Sequence, residues 1–458
     1  MTTPWDRITW QNSDHMVARL AVRPATRFMR IEAAGGLMLV VAAVAGLIWV
    51  NTDASSFHDF WGTHLSVDLS IAHLNLTLEE WVNDLLMTFF FLVVSLEIKR
   101  EIVHGELSDR RRASLPVISA AGGMVVPVLI YVAFNAGGDG IDGWAIPVAT
   151  DIAFALGVLS LLGKRVPFSL KIFLLALAVA DDVGGIVVIA LFFTEEIDGV
   201  ALGAAIGLLA LIFAMHRIQV RAIGAYAVVG AALWLAMHES GVHATIAGVA
   251  LGLATPATAP YLRENFLESM SRYRARFEEG MAIRDERGQR NLTTGTLHGV
   301  EELARETEPP LERVEHMLVP WTSFVIVPIF AMANAGIELG GSALPDAFES
   351  SVAWGAGAGL VLGKVVGISA AAYLSVRFGI AMKPRGVTWS QIAGVAMLGG
   401  IGFTVSIFLA NLSFDEEQLV IDAKIGIFAA SIVTAVAGYV ALRLFLHEES
   451  PDEFEEEG

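Results

Sequence analysis

The residues of this chain that could do chemistry are few, and they stand in apolar surroundings. Asp181 and Asp182 sit side by side in "ALAVADDVGGIVVIALFF" (176–193), Thr150 and Asp151 in "WAIPVATDIAFALG", and Lys364 in "GLVLGKVVGISAA". An ionised side chain at the centre of a bilayer costs roughly 2.5 kcal/mol or more, so each such residue is a functional-site candidate by default. Neighbours on a helix point about 100° apart, so Asp181 and Asp182 face different partners. Carboxylates and a lysine held away from bulk water are poised to load and release protons. A hard monovalent cation such as Na⁺ takes oxygen ligands, which Asp182, Asp181 and the Thr150 hydroxyl can supply. If Na⁺ and H⁺ compete for the same carboxylates, a site that opens alternately to the two sides exchanges one for the other. The plainer readings are that Asp151 caps a broken helix or bonds a nearby hydroxyl, and that Lys364 only neutralises one aspartate.

The elements that must position these groups are membrane helices. Of 458 residues, 55% are hydrophobic and 17% charged, and the mean hydropathy is +0.60, against about a quarter charged in soluble domains. Apolar runs near the spanning length of roughly 20 residues recur along the chain. Twelve spans are predicted near 33–50, 79–98, 113–134, 144–161, 167–193, 199–215, 222–237, 241–255, 317–336, 352–376, 389–412 and 420–446. The expected fold is an all-α polytopic bundle. With no cysteine, disulfides and thiolate metal sites are excluded.

Orientation follows from Lys and Arg, which collect in short cytoplasmic loops. They precede the first span and recur at Lys99, Arg100, Arg110 to Arg112, Lys164, Arg165, Arg217, Arg221, Lys383 and Arg385; the alternate loops 51–78, 135–143, 194–198, 238–240 and 337–351 have none. Both termini are therefore predicted cytoplasmic. The segment 1–32, with Arg19, Arg23, Arg27 and Arg30, lacks the layout of a cleaved signal peptide. Residues 33–255 hold spans one to eight and 317–446 spans nine to twelve. Between them 256–316 is a polar cytoplasmic loop, read as a solvated linker, with an amphipathic surface helix as the alternative. The tail 447–458 carries seven acids and reads as a solvated end.

Two spans look discontinuous. Pro147 removes a helix donor near 144–161, and Gly399, Gly400 and Gly402 weaken the helix near 389–412. Unwound backbone at membrane depth survives where it lines a cavity or packs on protein. If the breaks face each other, half-helix ends bring partial charges to the midplane, and Asp151 offsets the positive ones.

"IPVATDIAFALGVLSLLGKRVPFSLKIFLLALAVADDVGGIVVIALFF", "SGVHATIAGV", "PIFAMANAG", "LGKVVGIS" and "GGIGFTVSIFLA", in this order after "WVNDLLMTFFFLVVSLEIKREI", closely resemble the NhaA family of bacterial sodium/proton antiporters. The resemblance covers about 30–255 and 313–445. It implies inverted repeats, two crossing discontinuous helices, and electrogenic, pH-regulated exchange of two protons for one Na⁺ or Li⁺, with no resident cofactor. It implies that Asp182 and Asp181 bind the cation and protons, that Lys364 pairs with an aspartate, and that Asp151 and Thr150 lie at the fourth-span break. Asp84 is placed by it in the cytoplasmic funnel; Glu97, Glu101, His243 and Glu315 match positions linked to pH response. A homodimer is implied by the resemblance alone, and no nucleic-acid partner is expected. The chain departs from the family pattern at Ser95, Val319 and Val365 and in its longer 256–316 loop.

Other function classes fit less well. An intramembrane aspartyl protease needs facing carboxylates on separate helices, commonly with Gly-x-Gly-Asp, which does not occur here. An organic-anion symporter would want an intramembrane arginine, and a passive channel has little use for titratable carboxylates beside a lysine.

Overall fold

A computed structural model of the chain describes residues 33–69, 72–194, 197–218, 220, 223–259, 263–283, 285–340 and 343–446. The basic N-terminal segment 1–32 and the acidic tail 447–458 lie outside the described residues.

The chain enters with α1 (Ala33–Thr52), followed by a short α2 (Ala54–Trp61). An antiparallel hairpin comes next, β1 (His64–Leu69) with β2 (Ala72–Thr77), in the register His64 to Thr77. Thr77 and Glu80 then form a capping box, the reciprocal arrangement that satisfies free N–H groups at a helix start. It opens α3 (Leu78–Val103), and α4 (Arg110–Asn135) packs beyond it. The next span begins as a 3-10 segment, Asp139–Val148, and resumes after a break as α5 (Ile152–Ser160). Then come α6 (Phe168–Phe192), α7 (Gly199–Arg217), α8 (Ile223–His238) and α9 (Thr245–Ala254). The polar region forms α10 (Arg263–Ala282) and α11 (Glu286–Thr307). The second half holds α12 (Pro310–Asn334), a short α13 (Ala343–Glu349) and α14 (Ser351–Arg377). After α14 the chain breaks again between α15 (Trp389–Leu398) and α16 (Phe403–Ser413), and ends in α17 (Glu417–Phe445).

Among the described residues eight helices are long and apolar enough to cross a membrane: α1, α3, α4, α6, α7, α12, α14 and α17. The 3-10 segment with α5 and the pair α15 and α16 qualify together, bent by 46° and 49°. α8 and α9, of 16 and 10 residues, reach only about 24 and 15 Å at 1.5 Å per residue, against roughly 30 Å of hydrocarbon. Each predicted span overlaps one of these twelve stretches, though α9 starts later than expected. The chain turns at Gly241 with φ +78°, a conformation that costs glycine little.

The distribution of side chains is that of a bilayer protein. Leu37, Val41, Val44 and Ile48 of α1, Val125 and Leu129 of α4, and Ile432, Val433 and Val436 of α17 face outward, while Asp151, Asp181, Asp182 and Lys364 are buried. Contiguous apolar surface of this extent needs lipid or a partner to cover it.

Three features depart from the sequence expectations. The 51–78 region contains a two-stranded hairpin inside an otherwise helical protein. Its alternation of Leu65, Val67 and Leu69 with polar residues has the period of a strand, outside the apolar runs that hydropathy detects. The 256–316 region is no featureless linker: α10 and α11 pack together as a hairpin, with Tyr273 against Gly299. Pairs four residues apart, Arg274 to Glu278 (2.9 Å) and Arg305 to Glu301 (2.7 Å), lie along its surfaces and support helix. Finally, α12 starts at Pro310, ahead of the predicted 317, because Pro at a first helical position needs no donor.

Candidate functional site

The two breaks meet. Asp151 N–H donates to the Ile401 carbonyl at 2.6 Å, and the Thr150 hydroxyl donates to the Gly399 carbonyl at 2.7 Å. Ser406 Oγ on α16 reaches back to the carbonyl of Ile146 at 2.8 Å. Carbonyls freed by each unwound stretch are thus satisfied by the other, as backbone buried away from water requires.

Asp151 holds the crossing together. One carboxylate oxygen accepts the Phe154 N–H (3.0 Å) in the first turn of α5; the other accepts Thr404 N–H (3.2 Å) and Thr404 Oγ–H (2.7 Å) in the first turn of α16. Both half-helices direct their positive N-terminal ends at this one carboxylate, which is 3% exposed. Asp151 therefore does act as a cap, for two helices at once.

Asp181 and Asp182 approach from α6. Lys364 is fully buried, and its Nζ lies 2.6 Å from Asp181 Oδ2 and also donates to the carbonyl of Val148, the last residue of the 3-10 segment. The lysine is aimed there by a π-helical turn, Gly359–Gly363. A Cβ on Gly363 would come within 2.6 Å of Pro127 Cα, and one on Gly359 within 2.8 Å of Pro147 Cβ. Only glycine permits so close an approach of α14 to α4 at Pro127 and to the break at Pro147.

The remaining acceptors are left open. Asp181 Oδ1 is buried with no hydrogen-bond partner. The Asp182 carboxylate, on a residue 8% exposed, has no hydrogen-bond or ion-pair partner among the described residues. With all groups ionised, the three carboxylates of Asp151, Asp181 and Asp182 stand against the one ammonium of Lys364, a net local charge of −2. Buried unpaired charge of this sign is costly, and a cation or protons relieve it. No group of three or more His, Cys, Asp or Glu side chains positioned to hold a metal ion occurs among the described residues; the oxygens on offer are two carboxylates, a hydroxyl and backbone.

The remaining sequence-flagged residues form two separate groups. At one end of α3, Arg100 contacts Glu315 of α12 and lies 3.9 Å from both Glu97 and Glu101. Glu101 and Glu315 are buried, unlike the solvated charges usual at span ends. Beside them Lys99 donates to the carbonyls of Leu253 and Thr255 at the end of α9. Asp84, which the resemblance assigns to the cytoplasmic funnel, stands apart from this cluster. It sits at the opposite end of α3, 13 residues before Glu97 and on the order of 20 Å away along the helix. There it faces His238 (3.5 Å) and His243 (3.9 Å). His243 bonds Thr245 Oγ at 2.8 Å and sets its ring against Phe408.

Thr404 and Ser406, both within "GGIGFTVSIFLA", and Asn83, Asn334 and Asn411 are not among the charged residues that stand out in the sequence. Their signal was available: uncharged polar side chains inside otherwise apolar spans.

The sequence model of a protein family described as Na⁺/H⁺ antiporter 1 matches residues 26–442. Among curated relatives, a Na⁺/H⁺ antiporter NhaA of Rhodopirellula baltica is 42% identical over 418 residues, covering 91% of this chain and 93% of the relative. An Anaeromyxobacter protein of the same name is 44% identical over 426 residues, 92% of each chain. One from Salmonella typhimurium is 42% identical over 427 residues, 92% of this chain and 98% of its own length.

Proposed function

The chain belongs to the Na⁺/H⁺ antiporter 1 family, and from that membership we propose that it exchanges Na⁺ for protons across a bacterial inner membrane by alternating access. The observation that carries the reading is the Lys364–Asp181 ion pair beside the unpartnered Asp182, at the crossing of two broken helices. In this proposal α8 and α9 complete twelve spans and both termini are cytoplasmic, in keeping with the distribution of Lys and Arg.

The chemistry follows from the charge count. Protonated Asp182 and charged Lys364 bring the site from a net charge of −2 to −1. When Asp182 loses its proton, Na⁺ is drawn to its carboxylate and to the open Oδ1 of Asp181. A second positive charge beside Asp181 repels the Lys364 ammonium, which gives up its proton as the ion pair opens. One Na⁺ thus replaces two protons, one from Asp182 and one from Lys364, and each cycle moves net charge. Li⁺, smaller and harder still, can use the same oxygens. Asp151 acts on the cation indirectly, by fixing the half-helices whose ends surround it, while the Thr150 hydroxyl beside Asp181 offers the cation a further oxygen. Glu97, Glu101 and Glu315 around Arg100, with His243 and Asp84 at the other end, are the proposed origin of pH regulation.

The test uses purified protein in liposomes with a trapped pH dye, to which Na⁺, Li⁺ or K⁺ is added between pH 6.5 and 9. Na⁺ and Li⁺ are expected to move protons, and a membrane potential is expected to alter the rate. No cation-dependent proton movement at any pH sinks the proposal.

A further inference from the structure

Three asparagines from three spans meet at the Asp84 end of the bundle. Asn334, at the end of α12 and fully buried, donates through Nδ2 to Asn83 Oδ1 of α3 (2.9 Å) and to the Phe330 carbonyl (3.0 Å), while its Oδ1 accepts from Asn411 Nδ2 of α16 at 2.5 Å. The Phe330 carbonyl, itself only an acceptor, fixes which way the Asn334 amide points and so the direction of the whole chain of bonds. Every side-chain donor and acceptor of this central amide is aligned with a partner on another turn or another helix.

Beneath the asparagines lies an aromatic layer. Phe408, one turn before Asn411 on α16, packs on Phe91 (5.5 Å between ring centres), Phe330 (6.4 Å) and His243 (5.3 Å). Phe91, Phe330 and Phe408 are all under 5% exposed. Beyond this layer α16 begins at Phe403, where Thr404 holds Asp151. The aromatic and amide layers are therefore stacked between the carboxylate site and the Asp84 end.

We propose that the Asn83–Asn334–Asn411 chain is the latch of a gate on the side of the protein opposite Arg100, which must break before the carboxylate site can open to that side. The inference rests on the alternating-access reading above. Its physical basis is that α16 carries both the cap of Asp151 and the last amide of the latch. A movement of this half-helix that exposes the site must pull Asn411 from Asn334. Amides suit a latch because each bond is modest and can be exchanged for water when Asn83 and Asn411, half-buried already, become exposed. The positive-inside reading makes this the outer side.

The chain has no cysteine, so a single reporter can be placed. Met87 is buried, four residues after Asn83 and four before Phe91 on α3, between the two layers. In right-side-out vesicles, Met87→Cys is labelled with a membrane-impermeant charged thiol reagent, in backgrounds carrying Asn334→Ala or Asn411→Ala. Both backgrounds are expected to raise the labelling rate about tenfold, the population shift that follows from losing roughly 1.4 kcal/mol of closed-state bonding. A second reporter, Ser95→Cys, buried toward the Arg100 end of α3, should not gain reactivity. Unchanged labelling of Met87→Cys overturns the latch, and so does an equal rise at Ser95→Cys, which would mark general loosening. Labelling needs no ion exchange, so this result is independent of whether Na⁺ moves protons.

Discussion

Replacing Lys364 by methionine is expected to strand the Asp181 carboxylate, and the cost can be worked from its surroundings. The ammonium is the partner of Asp181 Oδ2, and Asp181 Oδ1 has none, so the substitution leaves both oxygens of a residue 2% exposed without a bond. Removing one member of a buried ion pair typically costs 3–5 kcal/mol, about what is expected here. The Val148 carbonyl also loses a donor, a penalty of about 1–2 kcal/mol that no change at Asp181 repairs. Asp181→Leu alone should cost a similar 3–5 kcal/mol by stranding the ammonium. Lys364→Met with Asp181→Leu should then lose only about 1–2 kcal/mol, a coupling of about 5 kcal/mol or more between the two sites. The assay is denaturant unfolding in detergent micelles, followed by the fluorescence of the ten tryptophans. If the single losses simply add, the buried pair is not what holds these side chains, and the reasoning fails.

Other outcomes follow from the same geometry. Thr404→Val removes the hydroxyl that donates to Asp151 at 2.7 Å and is expected to lower stability by about 1.5–3 kcal/mol, the range for bonds to charged groups; a thermal-shift measurement finding no loss would remove Asp151 from its role as a joint cap. Deleting residues 262–308 should keep turnover within about twofold, because Leu311 N–H already donates to the Pro256 carbonyl at 3.0 Å and so joins the chain on either side of the excised segment. Loss of membrane insertion in that deletion would make α10 and α11 part of the fold's framework. Asp182→Asn should abolish exchange in folded, inserted protein, and wild-type exchange by that variant would refute its role as cation ligand.

Much of this site is legible in the sequence because a membrane interior penalises charge so heavily. Asp151, Asp181, Asp182 and Lys364 stand out against apolar neighbours, and Pro147 with Gly399, Gly400 and Gly402 marks where helices cannot continue. Pairings are less legible. That Lys364 meets Asp181 depends on the π-helical turn at Gly359–Gly363, a one-residue change of register that no hydropathy profile registers. The separation of Asp84 from Glu97, Glu101 and Glu315 is written in their spacing along one helix, yet a resemblance that groups residues by effect hides it. The β-hairpin is illegible to a search for apolar runs because it is polar and polarity reads as loop, and in 256–316 the same polarity favours a linker over the helical alternative. The asparagine chain was missed because an uncharged amide costs less to bury than a charge and so draws less attention.

The central claim is that Na⁺ and protons compete for Asp182 and its neighbours. It is tested most directly by calorimetric titration of Na⁺ into purified, detergent-solubilised protein at pH 8.5, in buffers of different ionisation enthalpy. The measured heat is expected to depend on the buffer, because protons leave the site as Na⁺ enters. Asp182→Asn should show neither binding heat nor proton release. Na⁺ binding with no buffer dependence would mean that the cation and the protons occupy separate sites, and would contradict the account.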